Sequence, residues 1–457
     1  MSGSQRGSRF TIAARTTVTL PGWGPRRFAA GLGLLVALAA LMATLGAATA
    51  SAYECYSGYP NCKGQGELQH LVQGAPGTPD SVMPTTTTYF VYWAPNGAPA
   101  FPAKYESGIK TFFKGIEHDN GTDQNFYSVL TQYGVKYETH VGKAINDKNP
   151  YPAESPDCSS NEGAPPSKPC VSVRQITAEL TGLVKENKLA GQAFEAGQAK
   201  HVYFVLLPPG VSVCDGSYSG HSSVGCSSRQ FCAFHSFHLG GTETAEDVPF
   251  AMMPYLPGTK GCEDPQQPNG VNESEFAVLE HEFAEMITDP FGIGWANSPS
   301  VGAEEVVDIC QSGLWAGGNL AFGEKMRYGT ALGTAPSGAL YNQVIDGHDY
   351  YLQQPYSNAT ETCVQRIGLP PTVTKLSPAK GSIAGGKKVK ITGLNFENPT
   401  VTGVSFGKVP AKEFTVTSPT SITAVSPAST GTGVVEVKLT TSAGTNASTT
   451  ADQFTYE

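Results

Sequence analysis

The sequence predicts a layered, mixed α/β domain with disulfide-tied loops followed by a small all-β sandwich. Three observations carry this. From residue 85 to residue 290, β-branched and aromatic runs alternate with stretches of helical period. All ten cysteines lie between Cys55 and Cys363, an even number in a chain whose N-terminus reads as an export signal. Beyond Pro371 cysteine disappears, and Thr, Val, Ser and Gly dominate in short alternating runs.

The first 52 residues hold Arg6, Arg9, Arg15, Arg26 and Arg27, no acidic residue, and an apolar run from Phe28 to Ala50. With Ala50-Ser51-Ala52 in small-x-small positions, this predicts a signal peptide over 1–52 and a mature start at Tyr53. The run is long enough to anchor if uncut; once cut it leaves no stable membrane anchor, and the product is secreted or at the cell surface. Its loss moves the formal net charge from −9 to about −14, which leaves no basic face for nucleic acid. Two domains are expected in the remainder, over 53–367 and 370–457.

Thr85 to Trp93 is β-branched and aromatic and ends at Ala94-Pro95-Asn96-Gly97, a buried strand and its turn. Tyr105, Ile109, Phe112, Phe113 and Ile116 predict an amphipathic helix closing near Asp119-Asn120-Gly121. Val129 to Tyr137 reads as strand. Residues 146–170, rich in Pro, Ser and Asn, predict a surface loop stapled by Cys158 and Cys170, and Cys55 with Cys62 form a similar local pair. Connectivity of the other six cysteines stays open, and no Cys-x-x-Cys pair supports a thiolate-bound metal. Val173 to Asn187 is a second helix. His201 to Leu207, nearly all apolar before Pro208-Pro209-Gly210, predicts a central strand of a covered sheet, and Pro249 to Tyr255 another short strand.

The stretch from Asn272 to Cys310 asks for chemistry. Asn272 with Glu275 three residues on is a capping-box-like start, and Asp289-Pro290 is a stop, so a helix of about four turns lies between. Phe276, Leu279, Phe283 and Ile287 form one apolar stripe. His281 and Glu285, four apart, stack one turn over the other on roughly the opposite side, as a helix offers two ligands to one metal. Glu282 then stands where the base stands in His-Glu-x-x-His proteases, with a carboxylate replacing their second histidine. Glu304 and Glu305 lie 19 and 20 residues beyond Glu285, a distance at which one class of zinc peptidase brings a glutamate ligand from a second helix. Asp308 either ligates or orients His281 through the ring's other nitrogen. A solvated polar face with a surface acidic cluster is the competing reading; Cys310 argues for burial.

In order, Tyr89-Phe90-Val91-Tyr92-Trp93-Ala94-Pro95, His201-Val202-Tyr203-Phe204, Cys232-Ala233-Phe234-His235, Ala251-Met252-Met253-Pro254-Tyr255, Glu280 to Glu285 with Thr288-Asp289-Pro290, Gly294-Trp295, Glu305 to Cys310 and Tyr341 to Ile345 resemble the secreted EXORDIUM (phosphate-induced protein) family and its bacterial relatives. The likeness covers most of residues 85–364. It implies an extracellular role with no settled reaction, and a metallopeptidase-like layered domain only by analogy with the His-Glu-x-x-Glu stretch. The family pattern Gly-x-Glu-x-x-Asp-x-Cys favours Glu305 over Glu304, although Ala303 replaces its glycine, and it adds His235 as a further candidate ligand. A histidine beside Phe and Cys is more often a packed core residue.

Leu376-Ser377-Pro378, Gly385-Gly386, Val389 to Phe396 and Val404-Ser405-Phe406-Gly407 resemble an IPT/TIG domain, an immunoglobulin-like sandwich, over 370–457. In an exported chain with few basic residues this implies a spacer or adhesion module.

Two functions follow. One is a secreted metal-dependent hydrolase, most simply a peptidase: one divalent ion, Zn²⁺, on His281, Glu285 and Glu305, with Asp308 beside them and Glu282 as general base. Carboxylate-rich ligation also suits Mn²⁺, Fe²⁺ or Ca²⁺. The other is a non-catalytic extracellular binding or adhesion protein with a structural metal or acidic site, whose partner is an extracellular protein, peptide or cell-wall polymer.

Overall fold

The computed structural model describes residues 72–73, 81–158, 169–189, 194–195, 198–215, 225–227, 231–237, 248–259, 262–270, 275–297, 304–311 and 326–457. The signal-peptide expectation, Cys55, Cys62 and Asn272 fall outside these residues. No helix among the described residues is long and apolar enough to cross a membrane.

The principal elements are β1 (Thr86–Trp93), α1 (Tyr105–His118), β2 (Thr139–Asp147), α2 (Val173–Glu186), β3 (His201–Leu206), β4 (Phe234–Phe237), β5 (Pro249–Met253) and α3 (Phe276–Thr288). They build a five-stranded sheet in the order β4-β5-β3-β1-β2. All neighbours run parallel except β4, which pairs antiparallel with β5 at the edge. The run from His201 thus takes the central position its unbroken hydrophobicity demands.

Side chains leave a strand alternately to its two faces, and β1 shows the result. Phe90 and Tyr92 pack with α1 and α3, whereas Tyr89, Val91 and Trp93 pack with α2. Helices therefore cover both faces, in a three-layer arrangement. α2 begins at Ser172, whose hydroxyl accepts from Gln175 N while Gln175 Oε1 accepts from Ser172 N, a reciprocal cap. Aromatic rings fill the α1/α3 side: Phe283 sits 5.3 Å from Phe113, 5.9 Å from Tyr127 and 6.5 Å from Phe204, and Phe112 stacks on Phe276 at 5.0 Å.

Two local expectations are corrected. Val129 to Tyr137 is not strand: Tyr127–Leu130 is a helical turn continued by a 3₁₀ turn over Thr131–Tyr133, started by Asn125 Oδ1 accepting from Tyr127 N and ended by Gly134 at φ 91°. The second correction is the start of α3, which begins after Glu275 and not after Asn272. Glu275 does not cap it; its carboxylate turns to the Tyr105 hydroxyl and to Leu256 N. Asp264, 13 residues before Ala277, instead accepts from Ala277 N at 3.2 Å and serves the free N–H groups of the first turn.

Burial holds Glu275 at about 7 against its ordinary 4.5, although the Tyr105 and Leu256 donors pull it down. The folded chain keeps a proton over this range that the unfolded chain releases. That contribution is fully present below pH 4.5 and lost as pH rises through about 7, on the order of 3 kcal/mol in all. Glu275→Gln is therefore expected to gain about 3 kcal/mol on the wild type between about pH 4.5 and pH 8, measured by urea unfolding. A pH-independent difference would contradict this assignment.

Four disulfides join described residues: Cys158–Cys170, Cys214–Cys226, Cys232–Cys262 and Cys310–Cys363. The local staple at 158–170 forms as its spacing predicts.

Residues after Pro371 form two packed sheets. One orders β6 (Thr372–Ser377), β7 (Lys388–Leu394), β10 (Ser421–Val425) and β9 (Glu413–Ser418). The other carries β8 (Gly403–Phe406), β11 (Gly433–Thr441) and β12 (Gln453–Tyr456), in the order β12-β11-β8. Alternate residues Val389, Ile391, Val437 and Leu439 are fully buried, and Phe406 meets Phe454 between the sheets. Asn395, at φ 61°, joins this sandwich to the α/β layers. Its Oδ1 accepts from Asp123 N and its Nδ2 donates to Gly121 O, both at 3.0 Å.

Candidate metal centre

α3 is buried on every side, not only along its apolar stripe. The stripe packs on α1 and the sheet; the opposite side, carrying His281, Glu282 and Glu285, is covered by β4, by residues 304–311 and by Gln353. The solvated-face reading is thereby excluded: His281 is 7%, Glu282 3% and Glu285 3% exposed.

Glu285 is the hub. Its Oε2 lies 3.2 Å from His281 Nε2 and 3.5 Å from His235 Nδ1. Asp308 Oδ1 is 3.4 Å from His281 Nε2, and Glu305 Oε2 is 3.5 Å from His235 Nε2. Glu282 Oε2 is 3.4 Å from His235 Nδ1. His235, which general burial tendencies place in a core, thus stands inside the cluster. Glu304 does not; it binds the Asn297 side chain at 2.8 Å. Glu305 enters through a bridge to Ala296, and Asp308 opens a 3₁₀ turn, so no second helix delivers them, contrary to the peptidase analogy.

Gln353 was not legible as part of the site. Its Nε2 donates to Val307 O at 2.7 Å, which turns Oε1 toward His281 Nδ1 at 3.0 Å. With Nδ1–H donating to Gln353, Nε2 is the nitrogen that faces Glu285 and Asp308 and is left to take an ion; Gln311 Nε2 also lies 3.0 Å from Nδ1. Asp308 therefore stands on the ligand side of the ring, and Gln353 performs the orienting role. Asp289, read in the sequence only as the helix stop, closes the turn after α3 by accepting from Gly294 N. A Cβ at Gly294 would fall 2.2 Å from Thr288 O, so only glycine fits there.

Without an ion the site is electrostatically crowded. Burial pushes the two imidazoles down, but the carboxylates outweigh it and hold both well above 6.5: Glu285 and Asp308 act on His281, and Glu305, Glu282 and Glu285 on His235. Burial pushes Glu285 up, yet the two histidines bring it down to about 2. Glu305 is held well above 4.5 by burial and by its carboxylate neighbours, and burial also raises Glu282 and Asp308.

The residues fit a divalent ion. Around His281 Nε2, the separations of 3.2 Å to Glu285 and 3.4 Å to Asp308 are those of ligands roughly 2.1 Å from a common centre, and His235 approaches Glu285 through Nδ1 at 3.5 Å. Glu285 Oε1 is buried and accepts no hydrogen bond, an arrangement that is costly unless a cation answers it. Such an ion would be held by imidazole nitrogen and carboxylate oxygen and would displace the protons stored on the cluster. A groove of about 580 Å³ beside α2, lined by Ser155, Asp157, Arg174 and Glu179 among others, contains none of these residues.

Residues 371–456 match the IPT/TIG domain model. No curated protein is significantly similar to the chain. Among solved structures it is similar to the plexin A4 extracellular region, at 26% identity and TM-score 0.18 over 20% of this chain and 9% of that one. It is also similar to SGBP-B from a xyloglucan utilization locus of Bacteroides uniformis, at 27% identity and TM-score 0.16 over 19% and 23%. A third is SGBP-B of the Bacteroides ovatus mixed-linkage glucan utilization locus, at 17% identity and TM-score 0.15 over 30% and 36%. The chain thus spans about a third or less of each of these proteins.

Proposed function

We propose that the chain is an exported binding protein in which a metal-centred α/β domain carries an IPT/TIG sandwich toward an extracellular protein, peptide or cell-wall polymer. The observation that carries this reading is enclosure. The His281–Glu285 side of α3 is covered by β4, residues 304–311 and Gln353, with Glu285 4% and Asp308 26% exposed at the side chain, so an ion there ties three separate pieces of chain together. A structural site is closed in this way, whereas a catalytic one keeps an open position. His281, Glu285, Glu305, Asp308 and His235 are the proposed ligands. The IPT/TIG domain supports the binding role, and the motif order shared with the EXORDIUM family supports an extracellular place.

A second reading rests on Glu282. Directly after a ligand on α3, its Oε2 accepts no well-formed hydrogen bond, which suits a general base in a metallopeptidase-like hydrolase. Glu282→Gln separates the two. In the binding protein, wild type and variant carry the same metal, neither hydrolyses peptides or glycans, and chelation lowers the melting temperature of both. Metal-dependent turnover in the wild type, lost in Glu282→Gln with metal retained, would replace the binding reading by the hydrolytic one.

A further inference from the structure

The donors around α3 form two triplets rather than one ring. His235, Glu285 and Glu305 offer atoms all within 4.8 Å of one another, and so do His281, Glu285 and Asp308. Glu285 belongs to both, and neither triplet contains both histidines. A single ion with ligands roughly 2.1 Å away reaches donors at most about 4.2 Å apart, and the two histidines share no set even at 4.8 Å, so one ion does not take both.

We propose that the site is a dinuclear centre for two divalent transition-metal ions, one on His235, Glu285 and Glu305, the other on His281, Glu285 and Asp308, with the Glu285 carboxylate as the bridge. This deepens the metal reading above and rests on it. A bridging carboxylate gives one oxygen to each ion across a separation of about 3.5–4 Å. Glu285 has the means: Oε2 stands between the two imidazoles, and Oε1 is buried with no hydrogen bond to give up. Charge argues the same way. As ligands, Glu285, Glu305 and Asp308, with Glu282 beside them, carry four negative charges in an enclosed space. Two divalent ions match that count, whereas one ion leaves part of it to be balanced by the histidine it does not bind. The two histidines also arrive on separately anchored segments: His235 lies three residues from the Cys232–Cys262 bridge, and His281 lies on α3.

The test uses the full chain from an exporting host with its disulfides intact, stripped by a chelator and dialysed against Mn²⁺ alone or Zn²⁺ alone. Metal per chain is read by mass spectrometry and Mn²⁺ coupling by electron paramagnetic resonance. Two equivalents per chain are expected, with an exchange-coupled Mn²⁺ spectrum. His235→Ala and His281→Ala should each fall to one equivalent with the six-line signal of an isolated ion, and Glu285→Gln should lose the coupling. Circular dichroism checks folding; where a histidine variant does not fold, wild-type stoichiometry and spectrum decide alone. One equivalent, or two uncoupled ions, overturns the dinuclear inference and leaves a single-ion site. No metal at all overturns the proposed function itself.

Discussion

Replacing Phe283 with alanine is expected to remove about 4 kcal/mol of folding stability, the range found when a large ring is deleted from a packed core. Phe283 is fully buried, and it is the point where α3, α1, the Tyr127 turn and β3 meet, through Phe113, Tyr127 and Phe204. The hole left behind is lined by rigid rings that cannot collapse inward, which places the cost high in the range. His281 and Glu285 project from the other side of the helix, so the folded fraction should still carry its metal. Urea unfolding measures the loss; a change below about 1 kcal/mol would mean that α3 is not the centre of this core.

Removal of the Cys310–Cys363 bridge, with both cysteines changed to alanine, is expected to have the next largest effect and to reach the site. The bridge closes a loop of 53 residues, which corresponds to about 4 kcal/mol of constraint on the unfolded chain. Cys310 ends the turn that Asp308 begins, five residues after Glu305, so a freed segment loses the position of two proposed ligands. Metal should then pass more readily to a competing chelator. The Cys158–Cys170 bridge is the control: its 12-residue loop is worth about 3 kcal/mol and touches no proposed ligand, so its removal should cost stability and leave metal retention unchanged. Equal metal loss in both variants would show that retention follows global stability, not the placing of Glu305 and Asp308.

Much of the scaffold was readable because its signals are local. The alternation in β1, the apolar run of β3 and the helical spacing in α1 each report a face that one strand or helix must bury. Val129 to Tyr137 misled for the same reason that short apolar runs often do. Tyr127, Val129, Leu130 and Tyr133 are all buried, so neither a period of two nor one of 3.6 stands out, and Asn125 decides for helix through a cap whose effect hydrophobicity does not show. The start of α3 was misread because Glu275 turns to Tyr105 and the first-turn N–H groups are served by Asp264, a residue no local capping pattern includes.

In the site, His281, Glu282 and Glu285 were legible because one helix sets their geometry. Glu305 was set apart from Glu304 by a motif resemblance alone, and it is turned inward by the bridge to Ala296. Gln353 reaches His281 from 72 residues away and belongs to no motif, so nothing in the chain's local order announces it. His235 carried a signal that pointed two ways, since beside Phe234 and Cys232 it reads as core. Only the antiparallel pairing of β4 with β5 turns it toward Glu285.

The decisive measurement is the metal content of the disulfide-bonded chain, by mass spectrometry, beside His281→Ala and with melting temperatures recorded before and after chelation. Bound divalent metal at one equivalent or more, reduced in His281→Ala and accompanied by a melting temperature that falls on chelation, is the expected result. A folded chain that holds no metal after dialysis against Zn²⁺ and Mn²⁺, with a melting temperature indifferent to chelator, would contradict it and leave the His281–Glu285 cluster a proton-sharing acidic core.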